Sequence, residues 1–183
     1  MSKQNTTRNL VLCALFVALT AVLSQIAIPV QPVPINLATL SVMLAGGVLG
    51  AKNGAVSQAV YVLMGAIGLP VFSSFSGGIG IVAGPTGGYI IGYIAAAWLI
   101  GLLAGRCGGK VWQLALVMTA GELLCYLLGT AWFMIFTGTG LLESLLLCVV
   151  PFLLGDAAKI VVASLLVPAL NRALGLRKKA GAA

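Results

Sequence analysis

The sequence predicts an all-α integral membrane bundle of six transmembrane helices with both termini cytoplasmic, and three observations predict it. The composition is that of a lipid-embedded chain. Apolar runs of spanning length recur along it. Its basic residues fall in alternate connections between those runs. Of 183 residues, 61% are hydrophobic and 7% charged, against about 45–50% and about 25% in soluble domains. A soluble fold of this size has no interior large enough for so much apolar surface, whereas lipid accepts it. The length suits one bundle, a single transmembrane substrate-binding domain over residues 1–183, with no room for a separate soluble domain.

Lys3 and Arg8 precede the first run, residues 9–28, which Pro29 ends. No clean small-x-small cleavage site follows it, so it reads as a retained first helix and not as a signal peptide. The second run covers residues 35–50 and is short; the third covers 54–69 and stops at Pro70. The fourth, fifth and sixth cover 87–105, 111–136 and 144–171. With alternating spans, Lys3, Arg8, Lys52, Arg106, Lys110, Arg172, Arg177, Lys178 and Lys179 all fall on one side, nine of the ten basic residues. That asymmetry orients the chain with both termini in the cytoplasm and requires an even number of spans. The net charge of +7 is therefore a topology signal facing membrane lipid, not a nucleic-acid footprint. The expected location is the cell membrane, as a multi-pass protein.

The tenth basic residue, Lys159, lies inside the sixth span with Asp156 three residues before it. Each ion at a helix centre costs roughly 2.5–3.5 kcal/mol on insertion scales. Three-residue spacing puts the two on one helix face, where they can pair. The pair is either a fastening between helices or a ligand site. Glu122, about eleven residues into the fifth span, is either a wall of the same cavity or a protonated packing acid. The loop before the fourth span forms a second constellation. Phe75-Ser76-Gly77-Gly78 and Gly84-Pro85-Thr86-Gly87-Gly88-Tyr89 combine glycines, hydroxyls and aromatics and lead into a helix N-terminus, where free N–H groups favour an anion. It reads as an outer lid over a site, with a plain linker or glycines for tight helix packing as the alternative.

Small residues recur four apart at Ala14/Ala18, Gly46/Gly50, Gly88/Gly92 and Gly101/Gly105, which permits close helix approach. The Ala14/Ala18 face is the candidate for contact with a partner protein. The chain has no histidine, and its cysteines (Cys13, Cys107, Cys125, Cys148) form no C-x-x-C pair. No metal-ligand cluster, catalytic constellation or cofactor motif is apparent. The run Gly105-Arg106-Cys107-Gly108-Gly109-Lys110-Val111 misses the phosphate-loop spacing and its Ser/Thr. Energy for transport would therefore come from an ion gradient or another protein. The reading is of a binding or transport protein and not an enzyme.

Several motifs carry a resemblance. They are Pro32-Val33-Pro34 with Leu37 and Thr39-Leu40; Gly65-x-x-Gly68-Leu69-Pro70-Val71-Phe72; Gly77-Gly78 followed by Gly84-Pro85-Thr86-Gly87-Gly88-Tyr89; and Gly155-Asp156-x-x-Lys159. With them, nearly the whole chain resembles the BioY family, the biotin-binding membrane subunits of energy-coupling-factor transporters. The resemblance implies a six-helix subunit that captures biotin from outside. Its implied partners are a transmembrane coupling protein and a pair of ATP-binding-cassette ATPases. It also implies that Asp156, Lys159 and the 76–89 region bind biotin, although some members have Asn where Ser76 stands. In one orientation Asp156 accepts a ureido N–H, Lys159 donates to the ureido oxygen, the ring packs on Phe75 or Tyr89, and the carboxylate meets the loop amides. In the other the carboxylate lies on Lys159. The main rival is a self-sufficient secondary transporter of biotin or another small vitamin, with Glu122 and Asp156 as proton sites. Against it, the two halves show no repeat. A membrane enzyme lacks a nucleophile, and an assembly protein leaves Lys159 unexplained.

Overall fold

The computed structural model describes residues 3–28 and 33–176. Pro29, Pro32, Arg177, Lys178 and Lys179, on which the end of the first span, part of one motif and part of the charge count rest, lie outside the described residues. Helix α1 (Lys3–Gln25) leads into a two-residue strand β1 (Ala27–Ile28), which pairs antiparallel with β2 (Ile35–Asn36). There follow α2 (Ala38–Ala66), a 3₁₀ turn at Ser73–Phe75, the short α3 (Ile79–Val82), α4 (Gly87–Ala104) and α5 (Val111–Thr137). The chain closes with α6 (Leu141–Cys148), a 3₁₀ turn at Val150–Phe152 and α7 (Leu153–Ala173). The protein is thus an all-α membrane bundle. Among the described residues four helical segments are long and apolar enough to cross a bilayer: Thr6–Gln25, Gly87–Ala104, Val111–Thr137 and Leu141–Ala173.

Helix α2 is not straight. Gly50 has φ 78° and ψ 177°, a region open only to glycine, and the chain doubles back there. Ser41 and Gln58 both reach the hydroxyl of Thr20 in α1, at 2.8 and 3.3 Å. In one straight helix those two residues would stand about 25 Å apart at ~1.5 Å per residue. A Cβ placed on Gly54 would lie 3.1 Å from Gly46 Cα, which only a hairpin allows. The sequence reading placed a loop at residues 51–53; the structure turns on Gly50 alone and resumes helix at once. Residues 38–49 and 51–66 therefore run antiparallel, about 18 and 24 Å long at ~1.5 Å per residue, against ~30 Å of hydrocarbon.

Helix α4 sits between this hairpin and α5, and glycines set the spacing. A Cβ on Gly101 would meet the backbone of Gly50 and Ala51 at 2.2–2.6 Å, and one on Gly46 would meet the Ala97 carbonyl at 2.7 Å. Gly88 likewise admits Trp132 of α5. These four-residue spacings are thus spent within the chain. The polar groups of the interior are tied together as well. Thr20 also donates to the Phe16 carbonyl at 2.7 Å, the local bond that a hydroxyl within a helix uses. Among the described residues, Asn171 Oδ1 is the single buried side-chain polar atom without a hydrogen-bond partner.

The sixth apolar run is not one helix starting at residue 144. Helix α6 ends at Cys148, and Pro151 lies in the 3₁₀ turn that precedes α7. Proline has no N–H to continue the α-helical ladder, and α7 starts afresh at Leu153. This moves Asp156 from the interior of a span to the first turn of a helix, and it shapes the site.

The two ends of the bundle differ. One carries the β1–β2 pair and the 67–86 connection. At the other, the Gly50 turn, the 105–109 loop and the end of α7 surround an open basin of about 970 Å³ with Arg106 and Arg172 on its wall. Arg8 reaches the Leu174 carbonyl at that same end.

Candidate functional site

Three parts of the chain converge at the loop end. The first turn of α7 supplies Asp156 and, one turn on, Lys159. The β2 strand and the start of α2 that follows it supply Asn36 and Thr39, and α5 supplies Glu122 and Tyr126. The helix start suits Asp156, because the N-terminal end of a helix dipole stabilises an anion. The pair is buried, Asp156 3% and Lys159 7% exposed, and their charges meet at 2.6 Å. Lys159 Nζ also donates to the Asn36 carbonyl at 2.6 Å and to Thr39 Oγ1 at 3.1 Å. An ammonium has three protons, and here all three are committed. On the acid, Oδ1 also accepts from Thr39 at 3.4 Å, and Tyr126 donates to Oδ2. Removing one member of such a pair leaves the other as an uncompensated buried charge.

These side chains line a cavity of about 30 Å³, together with Val33, Pro34, Tyr89, Tyr93, Cys125 and Phe152. It is room for a water molecule, whereas pockets for small organic ligands measure about 300–1,000 Å³. Anything larger needs the walls to move apart. The walls combine aromatic and ionisable groups. They carry Tyr89, Tyr93 and Tyr126, the carboxyl groups of Asp156 and Glu122, and the Lys159 ammonium. No group of three or more His, Cys, Asp or Glu able to hold a metal occurs among the described residues.

Of the residues singled out from the sequence, Asp156, Lys159, Glu122 and Tyr89 come together around this cavity. Tyr89 is held there by Thr130 Oγ1 at 3.0 Å and by the Cys148 carbonyl, to which it donates at 3.2 Å. Phe75, Ser76, Gly77, Gly78, Gly84, Pro85, Thr86, Gly87 and Gly88 do not line it. Phe75 is 72% exposed. The Ser76 hydroxyl donates to the Ser73 carbonyl at 2.8 Å within its own turn. A Cβ on Gly87 would collide with the Val82 carbonyl and one on Gly88 with Trp132, so those glycines serve close packing. The amides of Gly87 and Tyr89, expected to face an anion, are bonded to the carbonyls of Gly84 and Thr86. The 67–86 connection is a built structure and not a slack tether. Gly84 accepts from Trp132 Nε1 at 2.9 Å, and Gly78 donates to the Gly65 carbonyl at 2.7 Å.

Sequence reading missed Tyr126, Tyr93, Asn36 and Thr39 as site residues. Tyr126 follows Glu122 by four positions, hence on the same helix face, and that spacing is the signal that would have found it. Asn36 and Thr39 straddle a helix start, where an Asn side chain caps the backbone; Asn36 Oδ1 accepts from Ala38 N–H at 3.0 Å.

The fold and the composition define a multi-pass protein of the cell membrane whose one buried ion pair, among the described residues, lies at an end of the bundle. A model of the BioY family matches residues 1–176, and the chain belongs to that family. It is 47% identical over 148 residues to a probable biotin transporter of Pyrococcus horikoshii, covering 81% of this chain and 86% of that protein. It is 42% identical over 159 residues to a biotin transporter of Thermotoga maritima, covering 87% of this chain and 93% of the relative. A crystal structure of the S-component for biotin from an ECF-type ABC transporter superposes with a TM-score of 0.85 at 28% identity, over 94% of this chain and 95% of that one. Membership assigns the chain to transport and not to catalysis.

Proposed function

We propose that this chain is the biotin-binding membrane subunit of an energy-coupling-factor importer. It captures biotin at the loop end, from the outer side, and delivers it inward with a transmembrane coupling protein and a pair of ABC-type ATPases. The observation that carries the reading is the buried Asp156–Lys159 pair, braced by Tyr126 and Thr39 in a cavity shared with Glu122. An ion pair placed only to fasten helices would not need a third ionisable group and a cavity beside it. Biotin has a ureido group with one acceptor and two donors, and this wall presents the complementary set. Asp156 accepts a ureido N–H, Lys159 donates to the ureido oxygen, and the tyrosines flank the ring.

The proposed topology has six spans, counting the two arms of α2 separately, with both termini cytoplasmic. The gathering of Arg8, Arg106 and Arg172 at one end supports it. The proposed contact with the coupling protein is the α1 face of Ala14 and Ala18, both exposed and flanked by exposed Leu10, Val11, Leu15 and Val22. Small residues there allow a partner helix to approach closely.

Calorimetric titration of the detergent-purified protein, emptied by biotin-free expression, tests the substrate. Tight binding of biotin with none of thiamine or riboflavin is expected. Preference for another vitamin would overturn the substrate, and uptake that survives loss of the ATPases but collapses with an uncoupler would favour a self-sufficient carrier.

A further inference from the structure

The contact between Lys159 and the backbone of Asn36 is one link of a longer chain. Asn36 Nδ2 donates to Ser73 Oγ at 3.1 Å, and that hydroxyl donates onward to the Ser24 carbonyl at 3.0 Å. Ser73 opens the 3₁₀ turn in which Ser74 and Phe75 both hold positive φ, 59° and 54°. A side chain in that region is strained, and such strain persists only where the surroundings hold it. Here they do. Gln25 Oε1 accepts from the Phe75 amide at 2.8 Å, Gln25 Nε2 donates to the Phe72 carbonyl at 3.1 Å, and Phe72 and Ser76 bridge across the turn. A continuous set of bonds therefore runs from the cavity wall at Lys159, through Asn36, to an exposed strained turn.

We infer that Asn36 is a positioning residue that couples ligand contact at Lys159 to the Ser73–Phe75 turn of the outer connection. The inference rests on the biotin-binding reading above. Because all three Lys159 protons are in use, a ligand oxygen must displace one acceptor. The Asp156 carboxylate is the strongest acceptor of the three, because it alone carries a full negative charge opposite the ammonium. The Asn36 carbonyl or Thr39 yields instead. The carbonyl is Asn36's own, Thr39 follows it by three residues in the first turn of α2, and the Asn36 side-chain amide holds Ser73. A shift that frees Lys159 for ligand therefore changes the support of the turn. The reverse also holds, since coupling between two sites is reciprocal.

Peptide-level hydrogen exchange over residues 72–76, with and without saturating biotin, reads the coupling. It is measured on the full-length wild type, Asn36→Ala and Ser73→Ala, with radiolabelled biotin binding followed in parallel. Biotin is expected to change the exchange rate of the wild-type segment by about tenfold. Both variants are expected to lose that response, and Ser73→Ala, whose hydroxyl lies outside the cavity lining, is expected to keep binding biotin while it does so. Ser73→Ala leaves the cap on Ala38 intact and so keeps the test sound if Asn36→Ala folds poorly. An unchanged response in the variants, or none in biotin-loaded wild type, overturns the coupling. A wild-type protein that folds and binds no biotin overturns the functional reading beneath it.

Discussion

At the scale of single residues, the site consists of charges that are stable only in company. Asp156→Asn and Lys159→Ala should each weaken biotin binding tenfold or more, because a buried bond to a charged group contributes about 1.5–3 kcal/mol. Tyr126→Phe removes the donor to Asp156 Oδ2 without changing the ring. It should weaken binding by about tenfold to a hundredfold on the same scale, and unaltered calorimetric affinity would remove Tyr126 from the site. Asp156 and Lys159 were legible in the sequence because ions are rare and costly within apolar runs. Tyr126 and Thr39 were not, since tyrosine and threonine are ordinary residues in a membrane helix. The four-residue spacing from Glu122 was the one signal for Tyr126, and the path of the chain into α2 brings Thr39 to the pair. The glycine-rich loop left two readings open in the sequence, a lid over a site or glycines for tight packing, and Gly87 and Gly88 face Val82 and Trp132 so closely that no Cβ fits.

At the scale of elements, the Gly50 turn and the break before α7 place the site. Gly101 lies against the backbone of Gly50 and Ala51, and backbone cannot step aside as a flexible side chain can. Gly101→Leu should lower the thermal unfolding midpoint by several degrees, the overpacking costing about 1–3 kcal/mol. Gly50→Ala should do the same through strain at positive φ, at about 1–3 kcal/mol. An unchanged midpoint in both would contradict the hairpin. The apolar runs that become the four segments long enough to cross a bilayer were legible from length and periodic interruption. The single-residue turn was not, because only its contacts distinguish Gly50 from the many other glycines in these helices. The start of α7 was obscured for the opposite reason, as residues 141–173 are apolar almost throughout and only Pro151 marks the break.

At the scale of the whole molecule, the account requires a site open to one side and a docking face open to the membrane. Cys107 lies on the wall of the basic basin. In a Cys13→Ala variant it should react with a membrane-impermeant maleimide only from the cytoplasmic side, whereas a cysteine introduced by Thr139→Cys should react only from outside. Labelling of both from one side would show that α5 does not cross the membrane and so contradict the proposed topology. Bulky residues on the α1 face, Ala14→Leu with Ala18→Leu, should abolish co-purification with the coupling protein and leave biotin affinity unchanged, which separates docking from capture. The most direct test of the central claim is the biotin affinity of Lys159→Ala set beside that of wild type, both shown to be folded by their unfolding midpoints. The account predicts tight binding by wild type and at least a tenfold loss in the variant. Equal affinity in the two would contradict it and return the buried pair to a purely structural role.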